Sequence, residues 1–95
     1  MKMGNKSRSI ITVVGKDQVG IIARVCVLLA DNNVNILDIS QTIVDGYFNM
    51  MMIADTENMK VEFKALSEAL EALGSEIGVI IKLQREDIFN SMQRI

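Results

Sequence analysis

Histidine is absent from the sequence, and cysteine occurs once, at Cys26. A chain without pairs of these residues cannot build a disulfide framework or an ordinary zinc site. The lack of histidine also removes the most common general base of enzymes. We therefore predict no catalytic residue, no metal ligand and no cofactor. Cys26 lies beside the inward stripe of a predicted helix and is interpreted as a small buried apolar residue.

Aromatic residues and excess positive charge are also lacking. Phe, Tyr and Trp together make up 4% of the chain, and 10 basic residues face 12 acidic ones, which gives a net charge of −2. Proteins that bind single-stranded RNA on a sheet need aromatic platforms on which bases stack, and nucleic-acid binders in general need a basic surface. We therefore predict no nucleic-acid partner.

Long apolar runs are missing as well. No segment approaches the roughly 20 residues of a membrane span, and the first nine residues, "MKMGNKSRS", contain no apolar core of a secretory signal. With 95 residues, of which 49% are hydrophobic, the chain is expected to be one soluble cytoplasmic domain without a membrane partner. We expect residues 1–8 to be a flexible tail, residues 9–84 the domain and residues 85–95 a helical extension.

The first half of the sequence alternates between strand-like and helix-like patterns. Ser9 to Val14 are mostly β-branched and apolar, which favours a buried strand. A helix is predicted from Gly20, with Asp17 as its N-cap and Asn32-Asn33 at its end. Its apolar residues recur at spacings of three and four: Ile21, Ile22, Val25, Leu28 and Leu29.

The next segment alternates with a period of two, which is typical of a strand. Leu37, Ile39 and Ile43 are predicted on one face, and Asp38, Ser40 and Thr42 on the other.

The second half begins with Asp45-Gly46, a strong signal for a hairpin turn. The partner strand, residues 47–54, is apolar on both faces. A helix with a stripe from Met59 to Leu73 is predicted to end at Gly74. A last strand is predicted over residues 77–83. In the tail, helical spacing of Ile88, Met92 and Ile95 predicts a short helix packed on the domain.

The order strand, helix, strand, strand, helix, strand predicts an α+β fold, the ferredoxin-like βαββαβ sandwich. Its antiparallel four-stranded sheet is expected in the order 4-1-3-2, with two helices on one face and the short C-terminal helix added. One layer of helices leaves the other face bare. We expect that face or an edge of the sheet to meet the C-terminal helix or a second subunit.

The stretch "VGKDQVGII", residues 14–22, permits several interpretations. Gly15, Gln18, Gly20 and Arg24 bear a superficial similarity to an acylphosphatase phosphate loop, but Asp17 would repel a phosphate inside it. The two glycines also fit a purely structural role in tight turns and close packing.

The third interpretation rests on a resemblance to a known family. Residues 13–41, "VVGKDQVGIIARVCVLLADNNVNILDISQ", resemble the signature of the ACT domain, a regulatory module of amino-acid metabolism. The similarity spans roughly residues 10–83, and it is greatest to stand-alone single-ACT proteins of bacteria and archaea. The ACT segments of formyltetrahydrofolate deformylase and of the glycine cleavage system repressor are similar in the same stretch, especially in "DQVGIIARV" and "NILDISQ".

The resemblance implies a small effector, usually an amino acid, bound where the first loop of one subunit faces the second strand of its neighbour. Five residues match the loop, namely Asp17, Gln18, Val19, Gly20 and Ile21, and three match the facing strand, namely Asn35, Ile36 and Leu37. Backbone N–H groups at Gly20 and Ile21 are expected to hold a carboxylate, with Asp17 or Asn35 near the ammonium.

Two hypotheses remain from the sequence. The first is a regulatory ACT module without catalysis, a homodimer that binds an amino acid and acts on an enzyme or regulator. The second is an adaptor that dimerises or docks on a metabolic enzyme or transcription factor without binding a metabolite. Val19 favours the second, because many ligand-binding ACT domains have proline at that position.

Overall fold

The computed structural model describes residues 8–16 and 18–86. The predictions for the N-terminal tail before Arg8, for the side chain of Asp17 and for a helix over residues 88–95 lie outside these ranges. The described elements follow the predicted order: β1 (Arg8–Lys16), α1 (Ile21–Asp31), β2 (Asn35–Val44), β3 (Tyr47–Asp55), α2 (Phe63–Ile77) and β4 (Val79–Arg85). β1 and β4 thus extend to Arg8 and Arg85, one residue beyond the expected domain bounds at each end.

The four strands form one antiparallel sheet in the order β2-β3-β1-β4, which confirms the predicted ferredoxin-like topology. Both helices pack on the same face, because their apolar stripes and alternate residues of β1, β3 and β4 form one buried cluster. The opposite face exposes apolar side chains, including Val14, Met51 and Ile80. Among the described residues, no helix is long and apolar enough to cross a membrane.

The hairpin between β2 and β3 has the predicted turn. Asp45 and Gly46 both have positive φ, 53° and 80°, as a type I′ turn requires. The turn pairs Val44 with Tyr47. The predicted end of α1 is also confirmed, since Asn32 is its C-cap and Asn33 has a φ of 62°.

Strand β2 departs from strict alternation at Leu37. The pairing register with β3 shifts between Ile36 and Asp38, which is a β-bulge. Ile36, not Leu37, therefore shares the helix-side face with Ile39 and Ile43, and the predicted placement of Leu37 is wrong. The predicted placement of Asp38, Ser40 and Thr42 on the other face is confirmed by their partners Ile53, Met51 and Asn49.

Helix α2 begins and ends one turn later than predicted. Its N-cap is Glu62, so Met59 precedes the helix, and Gly74 lies buried inside it. The helix ends at Ile77, and Gly78 is the C-cap in the left-handed conformation, with a φ of 80°. Ile77 therefore belongs to α2 and not to β4.

Two glycines let the junction between α2 and β4 lie close to β1. A Cβ on Gly15 would lie 2.6 Å from Val79 Cγ1, and one on Gly74 would lie 2.6 Å from the Val79 carbonyl oxygen. Both distances are too short for a side chain. Val79 is therefore held between β1 and α2, directly beside the loop that leaves β1.

Candidate functional site

An open cavity of about 400 Å³ lies where the β1–α1 loop enters α1. Three of its lining residues were predicted as ligand contacts from the sequence: Gln18, Gly20 and Ile21. The other three are Ile22, Ala23 and Phe48. Except for Gln18, the lining consists of apolar side chains and glycine backbone.

Gly20 shapes the entrance to the helix. It is the N-cap of α1, with φ of 93° in the left-handed region, where side chains other than glycine are strained. The predicted N-cap, Asp17, is therefore wrong by three positions. The first hydrogen bond of the helix runs from Arg24 N–H to the Gly20 carbonyl, at 3.0 Å. The amides of residues 21–23 consequently have no acceptor within the helix.

The charge at this helix end favours an anion. The first turn of α1 contains no acidic residue, and the N-terminus of a helix carries a partial positive charge. The whole Ile21 residue is 3% exposed, because its side chain belongs to the buried core. Val19 is fully exposed at the tip of the loop.

Two polar contacts tie this region to α2. Gln18 Nε2 donates a hydrogen bond to the Ile77 carbonyl oxygen at 2.7 Å, and Arg24 donates to Glu76 Oε2 at 2.7 Å. Arg24 does not line the cavity. An acylphosphatase-like site needs this arginine on the anion, so the geometry does not favour that alternative.

The second predicted half of the site lies at the other end of the sheet. Asn35 is opposite Asp55, which is opposite Arg8 at the start of β1. The loop follows Lys16, which pairs with Tyr47 of β3, and Tyr47 in turn pairs with Val44 of β2. The loop therefore lies at the Val44 end of the sheet, and Asn35 lies at the other end. A strand of ten residues is about 30 Å long. The structure therefore does not bring Asn35, Ile36 or Leu37 to the loop of the same chain.

Three lining residues were not predicted from the sequence. Ile22 and Ala23 follow Gly20, so they could have been found from the rule that first-turn amides lack partners. Phe48 lies near the start of β3, where it pairs with Gly15 of β1. No local pattern links Phe48 to the loop, because the contact depends on strand order.

Fold and site together define a ferredoxin-like module with a small-molecule-sized cavity at the first helix. The sequence model of the ACT domain family matches residues 7–84 of this chain. The chain belongs to the ACT domain family.

A UPF0237 protein of Bifidobacterium longum is 62% identical over 89 residues, which cover 94% of this chain and 99% of that relative. The ACT domain protein from Streptococcus pneumoniae has a similar structure, with 44% identity, a TM-score of 0.76, and 86% of this chain and 92% of that chain covered. These matches confirm the resemblance to stand-alone ACT proteins.

Larger proteins contain the same fold. The regulatory subunit of aspartate kinase from Thermus thermophilus is 25% identical, with a TM-score of 0.66, over 85% of this chain and 52% of that one. A formyltetrahydrofolate deformylase from Pseudomonas syringae shows the shared fold alone, at 22% identity and a TM-score of 0.74, with 81% of this chain and 26% of that one covered.

Proposed function

We propose that the protein is a non-enzymatic regulatory module that binds a free amino acid as a homodimer. The observation that carries this proposal is the cavity at the N-terminus of α1, which combines amides that have no acceptor within the helix with an apolar wall. Membership in the ACT family supports it, since that family is regulatory. We further propose a cytoplasmic location, where the free thiol of Cys26 stays reduced.

The cavity suits a neutral amino acid. In this proposal the backbone amides at Gly20 and Ile21 hold the carboxylate. Ile22, Ala23 and Phe48 offer apolar surface for an aliphatic side chain. A charged side chain would lose water there without a paired charge among the described lining residues, which costs free energy. Asp17 or Asn35 remains the proposed partner of the ammonium group.

The dimer we propose forms along β2, the edge strand next to β3. Nine of its ten residues are exposed, and it contains no lysine, arginine or proline to discourage pairing. Its exposed apolar side chains are Leu37, Ile39, Ile43 and Val44. Antiparallel pairing of two β2 strands would bring Asn35 of one chain to the loop end of the other. Both halves of the predicted site would then meet.

Thermal shift against each of the twenty amino acids tests the proposal. We expect aliphatic amino acids to raise the melting temperature. At a hundredfold excess of ligand over Kd, the free energy of unfolding should increase by about 2.7 kcal/mol. Gly20→Ala should abolish the shift. Gly46→Ala is the matched control, because both glycines have positive φ and open space around a Cβ, so both variants carry similar strain. Equal shifts in the two variants would contradict the proposed site.

The adaptor hypothesis remains the second candidate, because Val19 stands where many ligand-binding ACT domains have proline. A dimer in which none of the twenty amino acids changes the melting temperature would support the adaptor over the sensor.

A further inference from the structure

We infer that Gln18 is a positioning residue, and that through it the junction between α2 and β4 sets the ligand affinity of the loop. This inference concerns regulation of the site described above and rests on the proposed function. It begins from the hydrogen bond between Gln18 Nε2 and the Ile77 carbonyl oxygen. The two residues are 59 positions apart in the chain.

The loop itself is weakly packed. Gln18, Val19 and Gly20 are all exposed, so none of the loop residues that the structure describes is held against the body of the domain by a buried side chain. As a glycine, Gly20 adopts the left-handed conformation without steric strain, but it also leaves the backbone of the loop free to adopt other conformations. A bond from the Gln18 side chain to a fixed point therefore restricts a segment that would otherwise sample several conformations.

The acceptor is well suited to this task. Ile77 is the last residue of α2, and carbonyl groups at a helix end lack intrahelical donors. The C-cap Gly78 N–H bonds to the Gly74 carbonyl, which fixes the end of the helix. Val79 is held tightly against both Gly15 and Gly74. The junction is thus a rigid anchor for the amide of Gln18.

A linkage follows from this geometry. When only a fraction of molecules has the loop in its binding conformation, the apparent Kd rises in inverse proportion to that fraction. A ligand that holds the loop in place also favours the Gln18–Ile77 bond, and a change at the α2–β4 junction alters ligand affinity in return. Ligand binding in the cavity is thus coupled to α2 through this junction.

The deciding experiment uses the full chain without ligand. Backbone order parameters from ¹⁵N relaxation are measured at Val19 and Gly20 in the wild type, Gln18→Glu, Gln18→Lys and Glu76→Gln. Gln18→Glu keeps the length and one side-chain oxygen but removes the donor, so the order parameters should fall from about 0.85 to below about 0.6. Gln18→Lys restores a donor and should recover most of the order.

Glu76→Gln is the matched control, because it removes the charge from the exposed Arg24–Glu76 pair, which connects α1 to the same end of α2, without touching the loop. Its order parameters should equal those of the wild type. Unchanged order in Gln18→Glu, or an equal loss in Glu76→Gln, would overturn the inference.

A second measurement separates this inference from the proposed function. Titration with L-valine uses Gln18→Met, which removes the donor at similar length without adding a charge beside the ligand's carboxylate. Kd should be roughly tenfold higher in Gln18→Met than in the wild type, in proportion to the loss of binding-competent loop, and unchanged in Glu76→Gln. If wild type binds none of the twenty amino acids while the order parameters change as expected, the proposed function fails and the positioning role stands. If L-valine binds Gln18→Met as tightly as wild type, the positioning role is wrong and the site remains.

Discussion

Single residues in this protein have roles that depend on distant contacts. Gly74 has the sequence context of a helix terminator, but it is buried within α2 because Val79 approaches it. Gly78 has the positive φ that ends the helix. The sequence offers two glycines four residues apart, and local rules accept either as a C-cap. Only the packing of β4 against α2 distinguishes them.

The substitution Gly74→Ala tests this assignment. Alanine stabilises an exposed helix by about 1 kcal/mol relative to glycine, but here its Cβ would lie 2.6 Å from the Val79 carbonyl oxygen. We expect a net loss of about 1–2 kcal/mol in the free energy of unfolding, because overpacking costs more than the helix propensity gains. Urea denaturation at fixed protein concentration measures it.

Ser75→Ala provides the control, since Ser75 is the next residue of α2 and is exposed. Its stability should equal or slightly exceed that of the wild type. A Gly74→Ala variant as stable as Ser75→Ala would show that the close approach to Val79 does not constrain position 74.

At the scale of elements, the periodic patterns predicted all four strands and both helices, and the irregular positions account for the errors. The stripe of α2 was recognised because Leu66, Leu70 and Leu73 are buried at helical spacing. The bulge at Leu37 escaped prediction, because an inserted residue in an apolar strand leaves no mark in its composition. The start of α1 was predicted to within one residue, but its N-cap was assigned wrongly, since Asp17 is a better capping residue than Gly20 by local preference.

A substitution in strand β2 tests the proposed dimer. Ile43 lies on this edge strand and is 58% exposed. Ile43→Lys would place a charged side chain in the paired β2 seam, where the loss of water around the charge disfavours pairing of the edge. We expect the variant to be monomeric at micromolar concentration in sedimentation velocity, and the wild type to be a dimer under the same conditions.

Ile80→Lys is the matched control, because Ile80 lies on the other edge strand, β4, and is similarly exposed at 62%. This variant should remain a dimer. Loss of the dimer in Ile80→Lys together with its persistence in Ile43→Lys would place the interface elsewhere on the sheet.

For the whole molecule, the topology could be predicted from the sequence. Whether one chain brings both sets of predicted site residues together could not. Hydrophobic periodicity and the Asp45-Gly46 turn are local properties, so they specify the βαββαβ order without knowledge of the fold. The separation of Asn35 from Gly20 by the length of the sheet is a property of strand direction. Resemblance alone named both halves of the predicted site; the register of β2, β3 and β1 shows that the two sets of residues lie at opposite ends of the sheet within one chain.

The position of Asn35 and Gly20 at opposite ends of the sheet has a consequence for genetics. In the proposed dimer, each of two equivalent sites combines Gly20 of one chain with Asn35 of the other. A mixed dimer of one Gly20→Ala chain and one Asn35→Ala chain would contain one site with both changes and one site with neither. Two alleles that each abolish binding alone should therefore complement when co-expressed, with half of the sites restored in each mixed dimer. Calorimetric titration of the purified mixed dimer would count them, and no restored binding would contradict a site shared between chains.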